Sequence, residues 1–251
     1  MARSGSRVRV TAQLIHASTD THLWADSFER DLKEVLALQD EVARDIASQI
    51  KVKLTPQEQT RLASAHPVNP EAHQLYLLGR YYWNKRTPET LRKSLQYFHQ
   101  AIGKDPGYAL AYAGLADAYL VSQAGVYGVL PSKEAYPKAQ TAAMKALELD
   151  STLAEAHTSL AWCKLVFNLD PQGAEQEYKR AIELNPGYAV GHQLYAGYLS
   201  RMGRHTEAIA EDRKAENLDP LSLIISQHLG DRLCEHVRLA IAEALELKMR
   251  Y

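Results

Sequence analysis

The sequence predicts a mostly α protein: a solenoid of paired helices, preceded by a β-hairpin and one amphipathic helix. Three observations predict it. A turn phrase recurs at a near-constant interval after residue 100, a small residue holds a fixed place in the helical pattern before each phrase, and the first thirty residues alternate polar with apolar.

From the amino end, Val8, Val10, Ala12 and Leu14 alternate with Arg7, Arg9, Thr11 and Gln13, the two-residue period of a half-buried strand. Ser18-Thr19-Asp20 supplies a turn, and residues 22–30, with Trp24 and Phe28, read as a second strand. Leu32, Val35, Leu38, Val42, Ile46 and Ile50 then recur at three- and four-residue steps, which marks an amphipathic helix over 31–50 that would cover one face of the hairpin. The edge of the Val8–Leu14 strand would keep unpaired backbone groups, a route to fraying or to self-association by strand addition. Residues 1–54 are therefore expected to form a partial α/β segment. Thr55-Pro56-Gln57-Glu58 is a capping box that starts a short helix, and residues 55–69 read as this capped helix with a hinge.

Residues 70–251 are expected to form the repeat array. The phrases starting at Ala101, Ala146, Ala181 and Ala215 stand 45, 35 and 34 residues apart, and self-similarity at such a period is the mark of stacked helical units. Before them lie Gly79, Ala116, Ala161 and Ala196, small residues that let helices approach closely. Asn69-Pro70, Thr87-Pro88 and Asp170-Pro171 each put a capping side chain before a proline at the first helical position. A stretch from Val126 to Pro137 reads as an insertion in the second unit. The fifth unit is irregular: Gly230 and Ala244 are 14 residues apart, too few for an inter-helix turn of the usual kind, so either that turn is lost or the ending is not a natural repeat.

These residues resemble the tetratricopeptide (TPR) family, whose unit of roughly 34 residues has small residues at its eighth, twentieth and twenty-seventh positions and a proline at its thirty-second. The repeat at 189–222 places Ala196, Ala208, Ala215 and Pro220 there. The stretch from Val8 to Ala43 resembles the second half of the TolB amino-terminal-like α/β domain that precedes TPR arrays in bacterial regulators attached to a cyclase, a kinase or a CadC-type winged-helix domain. In those relatives further strands precede the one at Val8, so the chain is expected to be a fragment or a gene cut at its front.

The resemblance implies a groove lined by first-helix positions that takes an extended or helical peptide. Carried over by position, the groove residues are His73, Tyr76, Arg80, Trp83 and Asn84 in the first repeat, and Asp117 and Leu120 in the second. The third contributes Thr158, Trp162 and Leu165, and the fourth Gln193, Ser200 and Arg201. Two roles stay open for Trp83 and Trp162, groove lining or burial against neighbouring helices. Only Arg80, Asn84 and Arg201 fall where family members that grip a terminal carboxylate place lysines and asparagines, which argues against such a clamp.

Composition narrows the function classes. With 29 Lys and Arg against 30 Asp and Glu, no broad basic field draws in nucleic acid or an anionic membrane. Two cysteines, Cys163 and Cys234, form no metal or disulfide framework. No phosphate-binding glycine motif, zinc-hydrolase motif or nucleophile elbow is present, so the chain reads as a non-enzyme without a cofactor. His157 and His192 share the fourth position of their repeats and read as packing residues rather than metal ligands. With no apolar stretch of membrane-spanning length and no signal-peptide core, a cytoplasmic location is favoured. The expectation is a protein-interaction scaffold that binds a peptide or protein segment. The alternative is the sensory or regulatory part of a signalling protein whose cyclase, kinase or DNA-binding domain is missing here.

Overall fold

A computed structural model describes residues 2–4, 7–16, 21–31, 41, 42, 45, 68–123 and 127–249, with side chains at 9–13, 24–29, 31, 41, 42, 45, 68–123 and 127–238. These divide into two compact units, one made of residues 1–75 with 100–108, the other of 76–99 with 109–251.

The first unit contains a three-stranded antiparallel sheet, β1 (Ala2–Ser4), β2 (Arg7–His16) and β3 (Thr21–Asp31), in the order β1-β2-β3. The register pairs Val10 with Phe28 and Arg9 with Glu29, and slips between Leu14 and Ile15. One face carries polar cross-strand pairs, Arg9 with Glu29 at 2.8 Å and the hydroxyls of Thr11 and Ser27 at 3.3 Å. On the other face Phe28 is buried and its ring lies 6.2 Å from that of Trp24. The expected hairpin is present as β2 and β3, and β1 adds a third strand that pairs Ser4 with Arg7 and Ala2 with Arg9. Only Gly5 and Ser6 separate the two strands, the commonest hairpin spacing, so the β2 edge is paired at residues 7–9 rather than open along its length. Asp31 closes β3 instead of opening the next helix. Of that helix, Glu41, Val42 and Asp45 are described and helical; the rest of it and the Thr55–Glu58 box lie outside the described residues.

Nine helices follow among the described residues: α1 (Pro70–Asn84), α2 (Pro88–Lys104), α3 (Ala109–Val121), α4 (Ser132–Leu149), α5 (Ala154–Val166), α6 (Pro171–Leu184), α7 (Ala189–Arg201), α8 (His205–Leu218) and α9 (Leu223–Met249). The proline signals locate three starts correctly. Asn69 Oδ1 accepts from the Glu71 amide at 2.9 Å, Thr87 Oγ1 from the Thr90 amide at 3.3 Å, and Asp170 Oδ1 from the Gly173 amide at 2.9 Å. Each satisfies a helix-start N–H that has no partner within the helix.

The small residues are where helices touch. Ala161, Ala174, Ala196 and Ala208 are fully buried in one cluster with Tyr178, Tyr195, Tyr198 and Leu199. A Cβ on Gly79 would lie 2.6 Å from Phe98 Cε1, and one on Gly114 2.5 Å from it. The buried Phe98 ring therefore rests on bare backbone of both α1 and α3, and the Ser94 hydroxyl adds a bond to the Gly79 carbonyl at 2.9 Å.

Two repeats differ from the expected pattern. The stretch read as an insertion is partly helical, because α4 starts at Ser132 inside it. Tyr136 donates its hydroxyl to Gln123 Oε1 at 2.6 Å, which fastens this extension to the end of α3. The fifth unit is a single helix, α9, with no inter-helix turn. No proline interrupts Leu223–Met249, and the one glycine in it, Gly230, is not enough to break a helix held by buried Ile225 and Leu229.

Candidate peptide groove

The first helices of successive pairs, α1, α3, α5, α7 and α9, carry a continuous series of polar and aromatic contacts. Asp117 of α3 stands at its centre. One carboxylate oxygen accepts from Arg80 Nη1 of α1 at 3.0 Å and the other from the Ser159 hydroxyl of α5 at 2.6 Å. Burial pulls the Arg80 pKa down, but Asp117, Tyr76 and Tyr188 together outweigh it and leave the guanidinium more firmly protonated than usual. One carboxylate thus links three consecutive first helices.

Trp83, one turn beyond Arg80 at the end of α1, is 7% exposed. The guanidinium carbons of Arg80 and Arg86 sit 4.5 Å and 3.7 Å from its ring centre, within cation–π range. Its indole Nε1 and the Nε of Arg86 are buried, and neither has a hydrogen-bond acceptor among the described residues. Further along, half-buried Trp162 of α5 lies 5.4 Å from the Arg201 guanidinium of α7. Tyr188, in the turn before α7, faces Asp117 and Glu155, and burial with these charges pushes its hydroxyl well above the ordinary tyrosine value.

At the carboxyl end the polar groups satisfy one another. Gln193 Nε2 of α7 donates to His228 Nδ1 of α9 at 2.6 Å; burial, helped by the nearby Arg232, lowers the His228 pKa and keeps the ring neutral enough to accept. Arg232 of α9 donates twice to the fully buried Asp212 of α8, through Nε and through Nη2 at 2.9 Å, and Nη2 also reaches the Gln193 carbonyl at 3.4 Å.

The sequence-derived positions therefore separate. Arg80, Trp83 and Asp117 come together, as do Trp162 and Arg201. Asn84 is exposed, and Tyr76, Leu120 and Ser200 are half-buried. Thr158 is fully buried and donates to the Glu155 carbonyl at 2.8 Å. Leu165 packs against the tyrosine cluster and Gln193 is engaged by His228. His73 lies in the first unit, its Nδ1 2.9 Å from the Tyr108 hydroxyl. Counting helix positions missed Ser159, Tyr188, His228, Arg232 and Arg86. Arg86 and Tyr188 lie in turns, where helical spacing has no purchase.

His157 and His192 hold equivalent structural posts. In each, Nδ1 lies 2.6 Å from a second-helix carboxylate, Glu177 or Glu211, and Nε2 reaches a carbonyl in the preceding turn, of Ser151 at 3.1 Å or Pro186 at 3.0 Å. No cluster of three metal-binding side chains occurs among the described residues, and none of their helices is long and apolar enough to cross a membrane.

No protein-family model matches the chain. It is 33% identical over 160 residues to a protein of Rhizobium meliloti (strain 1021) named as an adenylate cyclase, a match over 63% of this chain and 27% of that protein. It is 28% identical over 151 residues to the transcriptional regulator HilA of Salmonella typhimurium, over 60% of this chain and 27% of that one. The chain thus spans about a quarter of the length of these curated relatives. Among solved structures, a thermophilic TPR protein of Thermus thermophilus aligns with a TM-score of 0.54 at 20% identity, covering 65% of this chain and 81% of that one. The paired helices have the tetratricopeptide-repeat fold.

Proposed function

We propose that this chain is a non-catalytic protein-interaction scaffold whose first-helix groove takes a peptide or protein segment. One observation carries the reading: Arg80, Trp83 and Asp117 come together, with Trp162 and Arg201 further along. Tryptophan and arginine are the residue types that most often dominate binding energy, especially where they are packed and desolvated. The experiment is capture of partners from a lysate of the source cell by wild type, Arg80→Ala and Trp83→Ala. Each substitution is expected to weaken capture of a specific partner by about 1–2 kcal/mol or more; equal retention by all three refutes the groove.

The relatives favour a compatible second reading, that the scaffold is the regulatory portion of a longer signalling protein. Both named relatives are several times longer than the matched region, and their names denote a cyclase and a transcription regulator. Reading the DNA upstream of Met1 in all frames tests it. An effector domain or the remaining strands of the α/β domain would support this reading, and an unrelated gene would remove it. The edge of β2 beyond Arg9 remains a candidate for pairing with a second copy, checked by light scattering on the wild type and on Thr11→Pro, which should lower any dimer fraction.

A further inference from the structure

Three inter-helix turns place the residue two before the next helix's first residue in the left-handed region: Gly203 with φ 75°, Leu169 with φ 55° and Arg86 with φ 51°. Turn geometry demands that conformation, and glycine adopts it without steric cost, whereas a side chain is strained there. Leu169 shows that a side chain is tolerated without any special contact, since it is 79% exposed. Arg86 differs. Its guanidinium is folded back to 3.7 Å from the Trp83 ring centre, and its Nε is buried without an acceptor beside an indole Nε1 in the same condition.

Electrostatics separates Arg86 from its neighbour. Arg80 is neutralised by Asp117 at 3.0 Å, whereas no carboxylate lies in ion-pair range of Arg86 among the described residues. Burial pulls its pKa down more than Tyr127 and Asp117 raise it, and Arg80 lowers it slightly further. The side chain is only half-buried. A desolvated guanidinium held against an aromatic ring is matched best by a planar carboxylate, which can accept two parallel bonds. We infer that Arg86, seated on Trp83 in the turn after α1, receives an aspartate or glutamate side chain of the segment bound in the groove.

This inference rests on the groove reading, and a displayed library of random dodecapeptides selected on the full chain tests both separately. Wild type is expected to enrich an acidic residue at one peptide position, and Arg86→Gln to lose that preference. A synthetic peptide from the wild-type pool should bind about tenfold more weakly when that acidic residue becomes its amide, with no such loss on Arg86→Gln. Arg86→Gly should keep or raise the urea midpoint while losing the preference, which separates recognition from a role in holding the turn. An acidic preference that survives in Arg86→Gln, or its absence from the wild-type pool, overturns the inference. If wild type and Arg86→Gln select the same neutral peptides and Trp83→Ala selects none, the groove stands without it. If wild type retains no peptide, the groove reading fails and this inference with it.

Discussion

The two ends of the groove use similar residue types to opposite effect. Around α7, α8 and α9, two buried polar groups are taken by others: Asp212 by Arg232, and Gln193 by His228. Around α1, α3 and α5, Asp117 neutralises Arg80, whereas among the described residues Arg86 has no carboxylate in ion-pair range and the Trp83 indole no acceptor. A buried donor left without its bond costs about 1–3 kcal/mol. At the carboxyl-terminal end the Asp212–Arg232 and Gln193–His228 bonds seat the helix α9.

The sharpest way to break this contrast is Asp212→Ala. It removes the partner of a largely buried arginine and should cost about 3–5 kcal/mol, seen as a large fall in the urea midpoint and an early loss of α9 helicity. If the cost is well below 1 kcal/mol, α9 is not seated by that pair. Next in size is overpacking at a contact both ends share. Ala196→Leu and Gly79→Leu should each destabilise by about 1–3 kcal/mol, because Ala196 is fully buried and Phe98 occupies the space beside Gly79. An unchanged midpoint for Ala196→Leu would overturn the repeat register.

Acid provides a smaller effect with a definite sign. Glu177 is held below its ordinary value of 4.5 by its hydrogen bond with His157 and by Lys164, against burial. At Glu211 burial pushes upward, yet bonds with Lys214 and His192 together outweigh it. Glu175, bonded to Arg204 and Lys179, falls to about 2. A carboxylate with a depressed folded pKa adds stability above its unfolded pKa, and that stability is lost as pH falls through the folded one. Stability should therefore decline below pH 4.5, and Glu175→Gln should flatten the decline between 4.5 and about 2 in pH-resolved urea melts. An unchanged slope in that variant would show that its bonds to Arg204 and Lys179 do not persist in solution. The smallest effect is chemical. Cys163 is fully buried and burial pushes its thiol up to about 12, whereas Cys234 is exposed. A thiol reagent should label one cysteine quickly in the native chain, and Cys234→Ser should react only on unfolding.

Much of the architecture was legible in the sequence because repetition signals it many times over. Small residues at a fixed place, prolines behind capping side chains and the recurring turn phrase each recorded one geometric requirement of stacked helix pairs. The unbroken α9 was half-legible, since the shortened spacing to Ala244 offered no room for a turn. The strand β1 was not, because Ala2-Arg3-Ser4 has too few residues to show a period.

Among the first helices, the sequence alone placed Arg80, Trp83 and Asp117 at corresponding helix positions. Their division into satisfied and unsatisfied groups was decided only by the tertiary structure. Whether a guanidinium is neutralised depends on a carboxylate 37 residues away within 3.0 Å, and whether a turn residue folds back onto an indole depends on a left-handed φ that no residue type announces when it is an arginine. Periodicity reports which way a side chain faces; hydrogen bonding and charge pairing depend on ångström distances between elements, and those exist only once the helices have packed.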